Sequence, residues 1–169
     1  MTAEAVLQVL ELLERGDVNV SVDGGWGVDA LLGHQTRSHE DLDLLLAADD
    51  VETAGALLCS AGFVVLRDLL PTAIAYTHSD GRGVDLHPIS RTLDGGGDQD
   101  LTRAGLGEDA PLFHYGPSVR GSVAGTQVWC VDGATQLRAH LGYAPQDKDR
   151  ADVARLAALL QVDLPEQYR

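Results

Sequence analysis

The chain reads as an α+β domain in which a mixed sheet is flanked by helices and followed by a small C-terminal helical lobe. Three observations lead there. Helical and strand-like segments alternate at the start, three strand-like stretches then run together, and two helical stretches close the chain. The 169 residues, 44% of them hydrophobic, suffice for one domain with a real core. Two carboxylates, Asp41 and Asp43, stand one residue apart in a run that continues through Leu44, Leu45 and Leu46, the pattern of a strand with acids on one face.

Taken in order, residues 3–15 place Val6, Leu7, Val9, Leu10, Leu12 and Leu13 at helical spacing, with Thr2 to cap the helix and Gly16 to end it. Residues 18–22 alternate Val with Asn and Ser, which predicts a strand, and deliver the chain to Gly24 and Gly25. A short helix from about Trp26 to Leu32, ended by Gly33, precedes the strand of Asp41 and Asp43. Asp49 and Glu52, three apart, predict a capping box for a helix that Gly62 stops. Strands follow at 63–67, 73–77 and 83–89, the last after the turn at 79–82. The Gly- and Asp-rich stretch 91–107 lacks periodicity and reads as a mobile loop. A hairpin turning near Ala124 and Gly125 joins 118–123 to 126–131, and helices are expected at 134–141 and 147–160. Residues 1–131 thus form the main domain, and 132–169 a helical segment packed on it as one structural unit.

Charge narrows the function. With 26 acidic against 12 basic residues the formal charge is −14, which disfavours a nucleic-acid backbone and suits a cationic small molecule. No apolar run approaches the roughly 20 residues of a membrane span. Cys59 and Cys130 have no CxxC spacing and read as inert core residues. With no signal-like N-terminus, the expectation is a reduced, cytoplasmic protein.

Chemistry concentrates between residues 23 and 43. Asp41 and Asp43 would project side by side from a segment whose neighbours are buried, where repulsion and poor solvation raise a pKa unless a cation sits between them; a divalent metal is the economical reading. Gly24 and Gly25, between a strand and a helix, form a turn whose backbone N–H groups suit a phosphate, although the same turn without a ligand is the commoner case. Asp85, with apolar neighbours in Val84 and Leu86, is either an edge-strand acid or a third member of the site. Three acids on adjoining strands fit one or two Mg²⁺ ions against a triphosphate.

The string from Gly24 to Gly33 (GGWGVDALLG), with Thr36-Arg37, His39 and Asp41-Leu42-Asp43, resembles the small antibiotic nucleotidyltransferases of the DNA polymerase β superfamily. Lincosamide nucleotidyltransferases are most similar, then aminoglycoside 2″-nucleotidyltransferases. The resemblance continues through Val84-Asp85-Leu86-His87 to His140-Leu141-Gly142-Tyr143, Asp147-Lys148-Asp149 and Asp152. It implies a polymerase β-like nucleotidyltransferase fold and the transfer of a nucleoside monophosphate, AMP from ATP or another NTP, to an antibiotic hydroxyl with two Mg²⁺ ions. Asp41, Asp43 and Asp85 then look like the catalytic and metal-binding carboxylates, with Asp85 as ligand, general base or both. Gly24, Gly25, Arg37, His39, Tyr143 and Lys148 look like the nucleotide-binding set. Where the wider superfamily often has Ser at the second turn position, Gly25 leaves only backbone donors. The plain alternatives are Arg37 pairing with Glu40 or Asp29, His39 capping a strand, and Tyr143 in the core. The resemblance also implies a homodimer in many members. The rival class is an antitoxin-like or nucleotide-binding protein of the same fold without antibiotic chemistry, against which all three acids count.

Among the remaining residues, Trp26 reads as packed between helix and sheet, with the nucleotide pocket as the alternative. His87 shares a strand face with Asp85, where it reaches the site, orients a neighbour or is structural. His34, His78, His114 and His140 lack ligand spacing, and the acidic run from Asp147 to Asp152 reads as a solvated helix start.

Overall fold

The computed structural model describes residues 1–104, 112–142 and 144–169. Helix α1 (Ala3–Arg15) begins where Thr2 accepts a hydrogen bond from the Ala5 amide, and buries Val6, Val9 and Leu13 as one stripe. Strand β1 (Val20–Asp23) passes directly into helix α2 (Gly24–Leu32), which Gly33 ends at φ 78. Strand β2 (Asp41–Ala47) follows, then a 3-10 turn (Ala48–Asp50) and helix α3 (Val51–Ser60). The expected capping box at Asp49 and Glu52 does not form. The helix starts from Asp50, without a side-chain cap, because the 3-10 turn already continues into it.

Strands β3 (Phe63–Leu69), β4 (Ala73–His78) and β5 (Gly83–Arg91) lie where the alternation predicts them. The expected loop at 91–107 is corrected in part. Residues Gly97–Asp100 form β6, which pairs antiparallel with β5 and with β7 (Leu112–Tyr115). Two flanking ladders hold this stretch whatever its side-chain pattern, and Gly97 serves close approach, since a Cβ there would lie 2.6 Å from Ile89 Cδ1. Residues 105–107 of that expected loop lie outside the described residues. The hairpin of β8 (Val119–Val123) and β9 (Thr126–Cys130) leads to helices α4 (Gly133–Ala139) and α5 (Asp147–Leu160).

The sheet is mixed, in the order β3-β4-β5-β2-β1-β9-β8, with β6 on β5 and β7 on β6. β2 runs parallel to β5 and antiparallel to β1, while β1 touches β9 in parallel. One face of the central strands buries Leu42, Leu44, Leu46, Val84 and Leu86 with α1 residues and with Leu58 of α3 in the main core. On the other face Leu45 packs with Tyr115 and Val131, beyond which the surface turns acidic. Helices α4 and α5 pack on each other and on α2. Cys130 is buried as expected, but Cys59 is exposed: it follows Leu58 on α3, so a rotation of about 100° turns it from the core to the surface. Among the described residues no helix is long and apolar enough to cross a membrane.

Candidate active site

The register of three strands builds the site. Asp23 stands opposite Asp43 across β1 and β2, and Asp43 stands opposite Asp85 across β2 and β5. Residues paired across a ladder share a sheet face, and Asp41 shares the face of Asp43 two residues away. Four carboxylates therefore project together. Burial, the Asp43 charge and that of Asp41 push the Asp85 carboxyl up to about 6, against the opposing pull of His87. Burial and the Asp43 charge also raise Asp41, with Lys148 across the cleft acting the other way. This strain is what a cation relieves.

Asp23 is the site acid that sequence reasoning missed. It is buried, and its pKa is raised by burial and by Asp43, with His87 and the Gly24 amide pulling the other way. The alternation of residues 18–22 extends to Asp23 and puts it on the polar face with Ser21, a usable signal; its alignment with Asp43 needed the register.

Both glycines of the turn have a structural reason. Gly24 adopts φ +57, and a Cβ on it would lie 2.1 Å from Asp43 Oδ2. A Cβ on Gly25 would lie 2.4 Å from both Arg37 Nη2 and His39 Nδ1. The Asp43 carboxylate, basic side chains and the positive end of α2 are thereby drawn together.

A cleft of about 770 Å³ opens over this turn. Of the predicted set, Gly24, Gly25, Asp41 and Asp43 line its floor, and Arg37, His39 and Lys148 its walls. Asp85 instead faces an adjoining hollow of about 580 Å³, with Glu40, Arg67 and Thr77; Asp41 borders both. Tyr143 lies outside the described residues. Trp26 is buried, its ring centroid 4.7 Å from that of His39.

The basic walls are themselves anchored. Arg37 pairs with neither Glu40 nor Asp29: its Nη2 donates to Asp152 Oδ2 at 2.7 Å, and its Nε reaches the same carboxylate. The acidic run of α5 is a solvated helix start only at Asp147, which is exposed; Asp149 and Asp152 are 3% and 2% exposed. Asp149 accepts from the Gln146 amide to cap α5, and Asp152 neutralises Arg37. His39 meets Asp29 through Nε2 at 2.5 Å, and Thr36 donates to the other Asp29 oxygen. His87 Nε2 lies 3.2 Å from Asp43 Oδ1, so His87 does reach the site.

Among the described residues no three His, Cys, Asp or Glu side chains converge into a ready metal cage. The donor set nonetheless fits Mg²⁺, which takes one or two carboxylates and completes its shell with water and phosphate oxygens. Asp41 and Asp43 are such a pair, with raised acids beside them.

A strand-glycine-turn-helix unit, acids on adjoining strands and a basic wall form the arrangement of a nucleotidyltransferase. The family model for aminoglycoside-2″-adenylyltransferases matches residues 5–156, and the chain belongs to that family. A lincosamide resistance protein of Staphylococcus haemolyticus is 26% identical over 159 residues, covering 94% of this chain and 96% of that one. The crystal structure of the lincosamide antibiotic adenylyltransferase LnuA with lincomycin bound superposes with a TM-score of 0.80 at 25% identity, over 94% of this chain and 98% of the other. ANT(2″)-Ia in complex with adenylyl-2″-tobramycin gives 0.71 at 18% identity, over 94% and 88%, a likeness of fold.

Proposed function

We propose that the protein transfers a nucleoside monophosphate, AMP from ATP, to a hydroxyl of a small antibiotic in a Mg²⁺-dependent reaction. One observation carries this: Asp41, Asp43 and Asp85 share a sheet face, with Asp41 and Asp43 beside the Gly24-Gly25 turn and Asp85 in the hollow that Asp41 joins to it. A lincosamide is the first choice of acceptor, because the relatives named for lincosamides match nearly end to end. An aminoglycoside is the second, supported by the family model and by a charge of −14 that draws polycations.

In this reading Asp41 and Asp43 hold Mg²⁺, one ion or two, with Asp85 as a further ligand. When bound, the metal neutralises phosphoryl charge and stabilises the pyrophosphate leaving group. The triphosphate lies in the larger cleft, where Gly24 and Gly25 offer backbone N–H groups, Lys148 offsets its charge, and Arg37 and His39, each held by a buried acid, line the wall beside it. The acceptor enters from the hollow that Asp85 faces. Asp85 takes the proton of its hydroxyl, the oxygen bonds to the α-phosphorus, and the bond from that phosphorus to the bridging oxygen breaks, releasing pyrophosphate. Exposed Val64, Val65 and Leu66 on the edge strand β3, beside this hollow, suit a homodimer in which a second copy helps close the acceptor pocket. Use of ATP as co-substrate suits a cytoplasmic enzyme.

Incubation with Mg²⁺, labelled ATP and a panel of lincosamides and aminoglycosides tests the reading. Acceptor-dependent pyrophosphate release is expected. Nucleotide binding without turnover on any acceptor would sink it and favour the binding-protein alternative.

A further inference from the structure

The carboxylate of Asp43 is held from behind by a buried polar chain. Its Oδ2 lies toward Gly24, while its Oδ1 meets His87 Nε2 at 3.2 Å. On the far side of the ring, His87 Nδ1 lies 3.1 Å from Gln99 Nε2. The same amide nitrogen donates to the Thr72 carbonyl at 2.8 Å, and Gln99 Oε1 accepts from Tyr115 Oη at 3.2 Å.

These contacts leave little choice of direction. The Thr72 carbonyl can only accept, so the nitrogen end of the Gln99 amide faces it, and that nitrogen meets Nδ1 as a donor. Nε2 is then the ring atom that donates to Asp43. Gln99 is 4% exposed, and a buried amide is tolerated at such a place only when both its ends are bonded. It comes from β6, which the β5 and β7 ladders hold under the acidic face.

We infer that Gln99, acting through His87, is a positioning residue: it fixes the imidazole so that Oδ1 of Asp43 is occupied and Oδ2 is presented at the triphosphate turn, where metal is taken up with nucleotide. Ligand carboxylates need such outer partners, whose loss costs about 10- to 100-fold in metal affinity or activity. The inference rests on the nucleotidyltransferase reading above.

The test measures Mn²⁺ uptake by electron paramagnetic resonance in complexes with a non-hydrolysable ATP analogue, alongside the metal-free affinity for that analogue. Wild type must first take up Mn²⁺ with the analogue; if it takes up none, the nucleotidyltransferase reading fails and this inference with it. Given uptake, Gln99→Leu and His87→Leu are expected to weaken Mn²⁺ binding about tenfold or more while metal-free analogue affinity is unchanged. His87→Gln, whose amide can reach Asp43 in place of Nε2, restores most of it. Undiminished Mn²⁺ affinity in folded Gln99→Leu or in folded His87→Leu overturns the inference, as does an equal fall in metal-free analogue binding. Should Gln99→Leu fail to fold, Gln99→Met, of similar length and without the amide, takes its place in the same measurement.

Discussion

The two faces of strand β2 are built from consecutive residues and do opposite work. Leu42, Leu44 and Leu46 point into the main core, while Asp41 and Asp43, alternating with them, point into the cleft. The apolar face gains stability from burial and tolerates no void. The acidic face spends part of that stability: Asp41 and Asp85 are held with raised pKa values beside another acid, a state that a proton or a bound cation relieves. The rigid face is what lets the strained one persist.

Neighbouring substitutions break this comparison most sharply. Asp43→Asn should cut turnover about a thousandfold or more, because in the proposed reaction it removes a metal ligand worth several kcal/mol in the transition state, and should leave the melting temperature at or above wild type. Leu44→Ala, one residue away and fully buried, should do the reverse, losing about 2–5 kcal/mol of stability while the folded fraction keeps its turnover. Steady-state kinetics with thermal melts on both variants check this. A destabilised Asp43→Asn would mean that the acid is structural.

With Asp85 as the proposed general base, Asp85→Asn should lose about 10²- to 10⁴-fold in turnover with ATP affinity retained. Its stability effect has a definite sign. With a folded pKa of about 6 against an ordinary 3.8, the protonated acid contributes stability that is fully present below 3.8 and is lost as pH rises through about 6. Asn mimics the protonated acid at every pH. The metal-free variant should therefore melt above wild type at pH 8, and the gap should close towards pH 4. A gap that does not change with pH would remove Asp85 from the strained set.

What the sequence revealed divides along the same lines. Asp41 and Asp43 were legible because period-2 alternation is local, and α1 because Thr2, its apolar stripe and Gly16 agree. Asp23 and Gln99 were not read, for a common reason: each joins the site through a ladder. Asp23 needs the pairing of β1 with β2, and Gln99 lies in a stretch whose Gly and Asp content signals a loop while flanking strands make it β6. The burial of Asp149 and Asp152 was equally hidden, since only the docking of α5 beside Arg37 turns a solvated acid into an ion-pair partner.

The smallest expected effect concerns Gly25, where the chain departs from the Ser that the superfamily often carries. A hydroxyl there would add a donor for the triphosphate, so pattern alone predicts a gain for Gly25→Ser. The geometry predicts a loss, because any Cβ meets Arg37 Nη2 and His39 Nδ1 at 2.4 Å. Arg37 can give way by leaving Asp152, but His39 is buried and tied to Asp29, so some overpacking, about 1–3 kcal/mol, must remain. Gly25→Ser is therefore expected to melt lower and bind ATP several-fold more weakly. Adding Arg37→Ala to it should recover only part of the stability. Full recovery in the double variant would show that Arg37 alone requires the glycine, and tighter ATP binding in Gly25→Ser would show that the turn can use a side-chain donor after all.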